Sequence, residues 1–179
     1  MEELSSNQHY TAEDFVSWGE GIPCELIHGT VVTMAGATES HQDVVLEIAT
    51  QLKVYLRGKQ CKAYVAPYDV FLSEDTVVEP DVFIVCDPTK RTARGCKGAP
   101  DMVVEVVSPS SMRMDMYTKH NLYKQAGVRE YWIAYPEMQI VNVYLLKDGK
   151  YEITSYGRED KLRVAVLEDC VIDLALVFP

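Results

Sequence analysis

The chain has 179 residues, 47 % of them hydrophobic, which suits one domain with a sizeable core spanning residues 1–179 and is cramped for two. Its net charge of −10 argues against a broad basic face of the kind that binds phosphate backbones by displacing counterions. No run approaches the roughly 18 apolar residues of a membrane span, and MEELSSNQHY carries neither a basic nor an apolar signal segment, so a cytoplasmic protein with no membrane partner is expected.

The five cysteines, Cys24, Cys61, Cys86, Cys96 and Cys170, are odd in number, scattered and never spaced C-x-x-C. They read as small buried thiols in a reducing compartment, with neither a disulfide framework nor a zinc ribbon.

Along the chain, TAEDFVSW predicts a short helix capped by Thr11, with acids in its first turn. CELIHGTVVTM reads as a hairpin turning at His28-Gly29. From Ser40 the period becomes helical through His41, Val45, Ile48, Leu52 and Tyr55, with Ser40 and Asp43 resembling a capping box and an end near Gly58. CKAYVAP, YDVFLSE and TVVEPDVFIVCD follow as three neighbouring strands.

After a loop holding Lys90, Arg91, Arg94 and Lys97, the short apolar run MVVEVV predicts a strand buried on both faces. A helix from about Ser111 to Ala126 stops at Gly127. EYWIAY, QIVNVYLL, YEITSY and KLRVAVL give further strands, with turns at Pro136, Asp148-Gly149 and Gly157. This order describes an α/β sandwich around a mixed sheet, with the second long helix crossing over from MVVEVV to EYWIAY. The C-terminal strands then extend that sheet or form a flap.

Three residues break the pattern. Glu105 interrupts an apolar strand, where a carboxylate must be paired, protonated or bound to a metal unless the strand lies at an edge and the side chain faces solvent. Asp81 opens VFIV directly after Pro80 and shares a face with Glu79, and a strand-end turn aspartate reads the same way. Lys119 falls on the stripe of Met112, Met116, Tyr123 and Ala126, as a core-facing charge or as a lysine snorkelling at its border. Two carboxylates on adjacent strands can hold Mg²⁺ through oxygen ligands, and a lysine beside them can serve the attacking water or the charge on a phosphate.

Pro80-Asp81, Glu105 and the lysine resemble the signature of the restriction-endonuclease-like superfamily, PD-(D/E)XK. In order, CELIHGTVV, SHQDVV, VEPDVFIVCDP, APDMVVEVVSPSS and YKQAGVREYWIA resemble the Uma-type group of restriction endonucleases over nearly the whole chain. The resemblance implies an α/β fold with a mixed β-sheet flanked by helices and extra C-terminal antiparallel strands. It also implies Mg²⁺ or Mn²⁺ dependence, hydrolysis of DNA phosphodiesters and homodimeric assembly.

On this resemblance Asp81, Glu105 and the backbone carbonyl of Val106 hold the metal. The superfamily's usual lysine position is Val107 here, and its role passes to Lys119 on the following helix. Glu25 in the first hairpin approaches the metal and His41 at the start of the long helix supports the site. The hairpin departs from the group's Y-E-L-I-D-G-E at Cys24, His28 and Thr30, and Tyr135 stands where an aspartate is usual.

Two other readings stay open. One is a non-catalytic dimeric interaction module that keeps the fold, consistent with the acidic balance and the tyrosine-rich C-terminal strands. The other keeps the metal but acts on a small nucleotide or phosphoester, which needs no wide basic face. Nucleophilic catalysis through His9, His28, His41 or His120 has no paired serine or cysteine motif, and no phosphate-binding glycine loop occurs.

Overall fold

The computed structural model describes residues 8–18, 23–108 and 114–178. Helix α1 (Ala12–Ser17) forms as expected, with Thr11 and Asp14 in a reciprocal capping box. Strands β1 (Cys24–Ile27) and β2 (Thr30–Thr33) make the expected hairpin, and His28 and Gly29 turn it at φ 49° and 73°. Helix α2 (Glu39–Tyr55) is capped by Thr38, whose hydroxyl accepts from the His41 N–H. The helix therefore begins one residue before the predicted Ser40 cap, and Ser40 lies inside its first turn.

Strands β3 (Lys62–Val65) and β4 (Asp69–Ser73) match two of the predicted segments, but TVVEPDVFIVCD is two strands, β5 (Thr76–Val78) and β6 (Val82–Val85). Pro80 has no N–H to donate to a ladder. The chain leaves one sheet at Glu79 and enters another after Asp81, so the predicted continuous strand becomes a crossover between layers.

A short strand β7 (Gly95–Lys97) lies in the predicted basic loop, and β8 (Met102–Val106) is wholly buried, as its apolar run requires. Met114–Lys119 form a π-turn that runs into α3 (His120–Ala126), closed by Gly127 at φ 86°. The start of the predicted helix, including Met112, lies outside the described residues. The wider turn shifts the helical phase, so Met116 is 37 % exposed and Met114 packs on the core in its place.

Strands β9 (Glu130–Tyr135), β10 (Ile140–Lys147) and β11 (Lys150–Gly157) follow in order. Then come β12 (Lys161–Arg163), β13 (Val171–Asp173) and the short α4 (Leu174–Val177); the last two had no clear signal in the sequence.

Two sheets carry the architecture, one ordered β2-β1-β5-β4-β7 and a larger mixed one ordered β11-β10-β9-β8-β6-β3. Strands β8 and β9 are parallel neighbours, joined by the expected helical crossover, and β10 and β11 extend the large sheet antiparallel. One face of the large sheet packs on Val44, Ile48 and Leu52 of α2 and on the C-terminal segment. Its other face meets the first sheet through Phe83, Val103, Tyr131 and Ile133 against Ile27, Val70 and Val78, with Leu122 and Tyr123 of α3 alongside. Helix α1 covers the far side of the first sheet through Phe15 and Trp18 on Leu26 and Val77.

The reading of all five cysteines as thiols is corrected in one respect. Lys62 pairs with Val85 across β3 and β6, and one step further Cys61 and Cys86 are joined in a disulfide, a bond that reducing compartments disfavour. Cys24, Cys96 and Cys170 are buried thiols.

A carboxylate lies in the core at Glu130, fully buried at the start of β9. Its oxygens accept from Trp132 Nε1 and from the Val166 N–H, both at 2.8 Å, which ties the sheet to the C-terminal segment. Burial raises its carboxyl above the ordinary range against these hydrogen bonds. The folded protein thus holds this proton more tightly than the unfolded chain, and the stability gained is full below the ordinary carboxylate range and lost as pH rises through the raised value. Glu130→Gln turns one acceptor oxygen into an amide NH₂ that faces a donor and should cost about 1–3 kcal/mol. Thermal melts should show a larger deficit for the variant near pH 5 than near pH 8; equal deficits would contradict the assignment.

Candidate active site

Glu105 is the fourth residue of β8, a strand paired on both sides, and is only 3 % exposed. The solvent-facing edge reading is therefore excluded. Val82 pairs with Val104, and continuing the register by one residue sets Asp81 opposite Glu105. Directly opposed residues of antiparallel strands project from the same face, with Cβ atoms roughly 5 Å apart. Glu105 shares the face of Val103, which looks towards β1, and Asp81 lies beside it at the entry to β6, within reach of α2.

Each carboxylate is held by a different set of donors. Asp81 Oδ2 accepts from the Val106 N–H at 2.7 Å and lies 3.2 Å from His41 Nε2 at the start of α2. Glu105 Oε1 accepts from Lys119 Nζ at 3.0 Å and from the Tyr123 hydroxyl at 2.6 Å. Lys119 ends the π-turn and Tyr123 stands four residues later, so one helix face delivers both groups to the same oxygen. Burial and the neighbouring Glu105 and Glu25 carboxylates raise the Tyr123 phenol well above its usual range, which keeps it a donor.

Lys119 is a core-facing charge, 6 % exposed, and it also reaches Glu25 Oε1 at 2.8 Å. Glu25 is buried in β1, and the same oxygen accepts from the Glu79 N–H at 2.9 Å. The ammonium therefore bridges the two sheets, with one carboxylate supplied by each. Lys119, Glu105 and Glu25 meet in one cluster, while Asp81 and His41 form an adjoining arm.

The sequence singled out five of these side chains; the structure joins Glu25, Glu105 and Lys119 in one cluster and pairs Asp81 with His41 in the arm beside it. Tyr123 was passed over because a tyrosine on an apolar stripe reads as core; its spacing of four from Lys119 was the available signal. Glu79 had been noted only for sharing a face with Asp81. Burial, Asp69 across the β4–β5 hairpin and Glu25 push its carboxyl up to about 7. His28 is an exposed turn residue, away from this cluster.

Among the described residues no group of three or more His, Cys, Asp or Glu side chains is arranged to hold a metal ion. The pair Asp81 and Glu105 suits a different kind of site. Mg²⁺ is commonly held by one or two carboxylates and completes its shell with water and substrate phosphate. Hard oxygen donors also suit Mn²⁺.

A solved structure described as a "putative nuclease belonging to DUF820", from Anabaena variabilis ATCC 29413, superposes with a TM-score of 0.79 at 17 % identity, covering 94 % of this chain and 97 % of that one. The likeness shows the shared mixed α/β fold. Uncharacterized protein slr1290 of Synechocystis sp. (strain ATCC 27184 / PCC 6803 / Kazusa) is 24 % identical over 157 residues, 85 % of this chain and 83 % of that protein. Uncharacterized protein sll1609 of the same organism is 23 % identical over 103 residues, 56 % of this chain and 58 % of that protein. Residues 12–175 match the model of the Uma2 family, whose description reads "Putative restriction endonuclease", and the chain belongs to that nuclease-like family.

Proposed function

We propose that the protein is a Mg²⁺- or Mn²⁺-dependent endonuclease that hydrolyses DNA phosphodiester bonds, working as a homodimer. The observation that carries the reading is a buried strand carboxylate, Glu105, opposed in register by Asp81 and met by a lysine from the next helix. Lys119 is held between Glu105 and Glu25, one carboxylate from each sheet.

Asp81, Glu105 and the Val106 carbonyl would hold the ion. When bound, the ion supplies Lewis acidity and lowers the pKa of a coordinated water. The Val106 N–H and His41 fix the Asp81 carboxylate, which limits the reorganisation needed at the moment of reaction. Tyr123 does the same for Glu105. Lys119 would orient the attacking water and offset charge on the phosphate, with Glu25 positioning it from the other sheet.

Glu105→Gln preserves an acceptor for Lys119 and Tyr123 while removing the charged metal donor. Cleavage of plasmid DNA with Mn²⁺ should fall to background with the melting temperature close to that of the parent. Full activity in this variant would sink the nuclease reading. Lys119→Ala should lower cleavage by roughly 10²–10⁴-fold. It should also destabilise the fold by about 3–5 kcal/mol, because two buried carboxylates lose their shared cation.

Tyr123→Phe removes one buried hydrogen bond and leaves every charge in place, so a loss of about 1 kcal/mol in stability is expected. Its cleavage rate should fall less than that of Glu105→Gln, and rising Mn²⁺ should restore part of it. A loss that Mn²⁺ does not touch would assign Tyr123 to folding alone.

A further inference from the structure

Helix α2 has two working faces. Val44, Ile48 and Leu52 are buried in the core, while Gln42, Leu46, Ala49 and Lys53 recur every three or four residues along a second stripe that lines an open groove, continued by Arg57 just past the helix end. The groove has a volume of about 910 Å³ and is lined opposite α2 by Ala63, Tyr64 and Val65 of β3 and by Tyr68. It runs along about 18 Å of helix at 1.5 Å per residue and reaches Asp81, one of the proposed metal ligands.

Its lining combines three chemistries. Leu46, Val54 and Val65 are 68 %, 54 % and 42 % exposed, an apolar surface left open beside an edge strand. Tyr64 and Tyr68 line it with the open parts of rings that pack on each other and on Phe83, Tyr68 anchored by its hydroxyl on the Thr92 carbonyl. Lys53 and Arg57 are its cations and Asp81 its only acid, in a chain of net charge −10. The lining is thus cationic apart from the carboxylate assigned to catalysis.

Apolar and aromatic walls meet the faces of bases, and duplex DNA keeps those faces stacked inside and shows only edges and phosphates. A single strand offers both unstacked bases and a polyanionic backbone, the combination that an aromatic groove with a few cations recognises. We propose that this groove carries an unpaired nucleic-acid strand to Asp81. Its bases lie against Leu46, Val54, Tyr64 and Tyr68, and its phosphates against Lys53 and Arg57. The proposal rests on the nuclease reading for the chemistry at Asp81 and adds the form of the substrate. It also answers the acidic composition, because a narrow cationic track replaces a broad basic face.

The test is fluorescence anisotropy in EDTA with labelled oligothymidylate, the ribo-oligomer of matching length and a hairpin duplex, followed by cleavage of each in Mn²⁺. The single strand should bind more tightly than the duplex. Two phosphate contacts should weaken its binding about sevenfold between 50 and 200 mM salt. Lys53→Glu with Arg57→Glu should weaken it by roughly tenfold or more at low salt, and the milder Lys53→Gln with Arg57→Gln should act in the same direction.

Equal binding of the ribo-oligomer supports the track and widens its substrate. Binding that depends on Lys53 and Arg57 without any cleavage supports the track and removes the nuclease reading. Duplex cleavage indifferent to both substitutions overturns the track and keeps the nuclease reading. No nucleic-acid binding, with Leu46→Asp converting a dimer to monomer, overturns it in favour of a second copy of the chain in the groove.

Discussion

The arrangement depends on compensating one charge. A carboxylate at Glu105 in the middle of a two-sided buried strand costs several kcal/mol unless other groups offset its desolvation. Lys119 and Tyr123 offset it from α3, and the lysine in turn brings Glu25 from the opposite sheet. The position of the crossover helix, the approach of the two sheets and the line of Asp81 across from Glu105 follow from that requirement. Replacing such a buried ionic cluster by hydrophobes is often neutral or stabilising, which supports the proposed role for it beyond stability.

Much of this was legible in the sequence because burial of an ionisable group leaves a periodicity violation. Glu105 within MVVEVV and Lys119 on an apolar stripe are such violations and meet in one buried cluster, with Asp81, half-buried before VFIV, close by. The fold was legible through the parallel crossover from β8 to β9, because two apolar runs separated by a helix have few ways to pack. What escaped did so for stated physical reasons. Pro80 divides an apparently continuous strand between two sheets, and the π-turn shifts the phase of α3, so that Met114 and not Met116 meets the core. Neither effect has a period that a pattern can detect. Tyr123 was overlooked because its ring serves the core while only its hydroxyl serves Glu105. The Cys61–Cys86 disulfide required the β3–β6 register, which cysteine spacing alone does not provide.

The two faces of the large sheet divide the work. One is filled by α2 and the C-terminal segment and gives the fold its mass, with Glu130 as an internal tie. The other meets the first sheet around the ionic cluster, and α2 reaches both, through its buried stripe on one side and through His41 on Asp81 at its beginning. The same helix therefore supports the proposed metal ligand and walls the groove that leads to it.

The central claim is that Asp81 and Glu105 form a divalent-cation site. Calorimetric titration of the protein with Mn²⁺, beside Asp81→Asn, addresses it without any assumption about substrate. The account predicts saturable binding to the parent, weakened by at least about tenfold when Asp81 loses its charge. Absence of binding, or binding unchanged in Asp81→Asn, would contradict it.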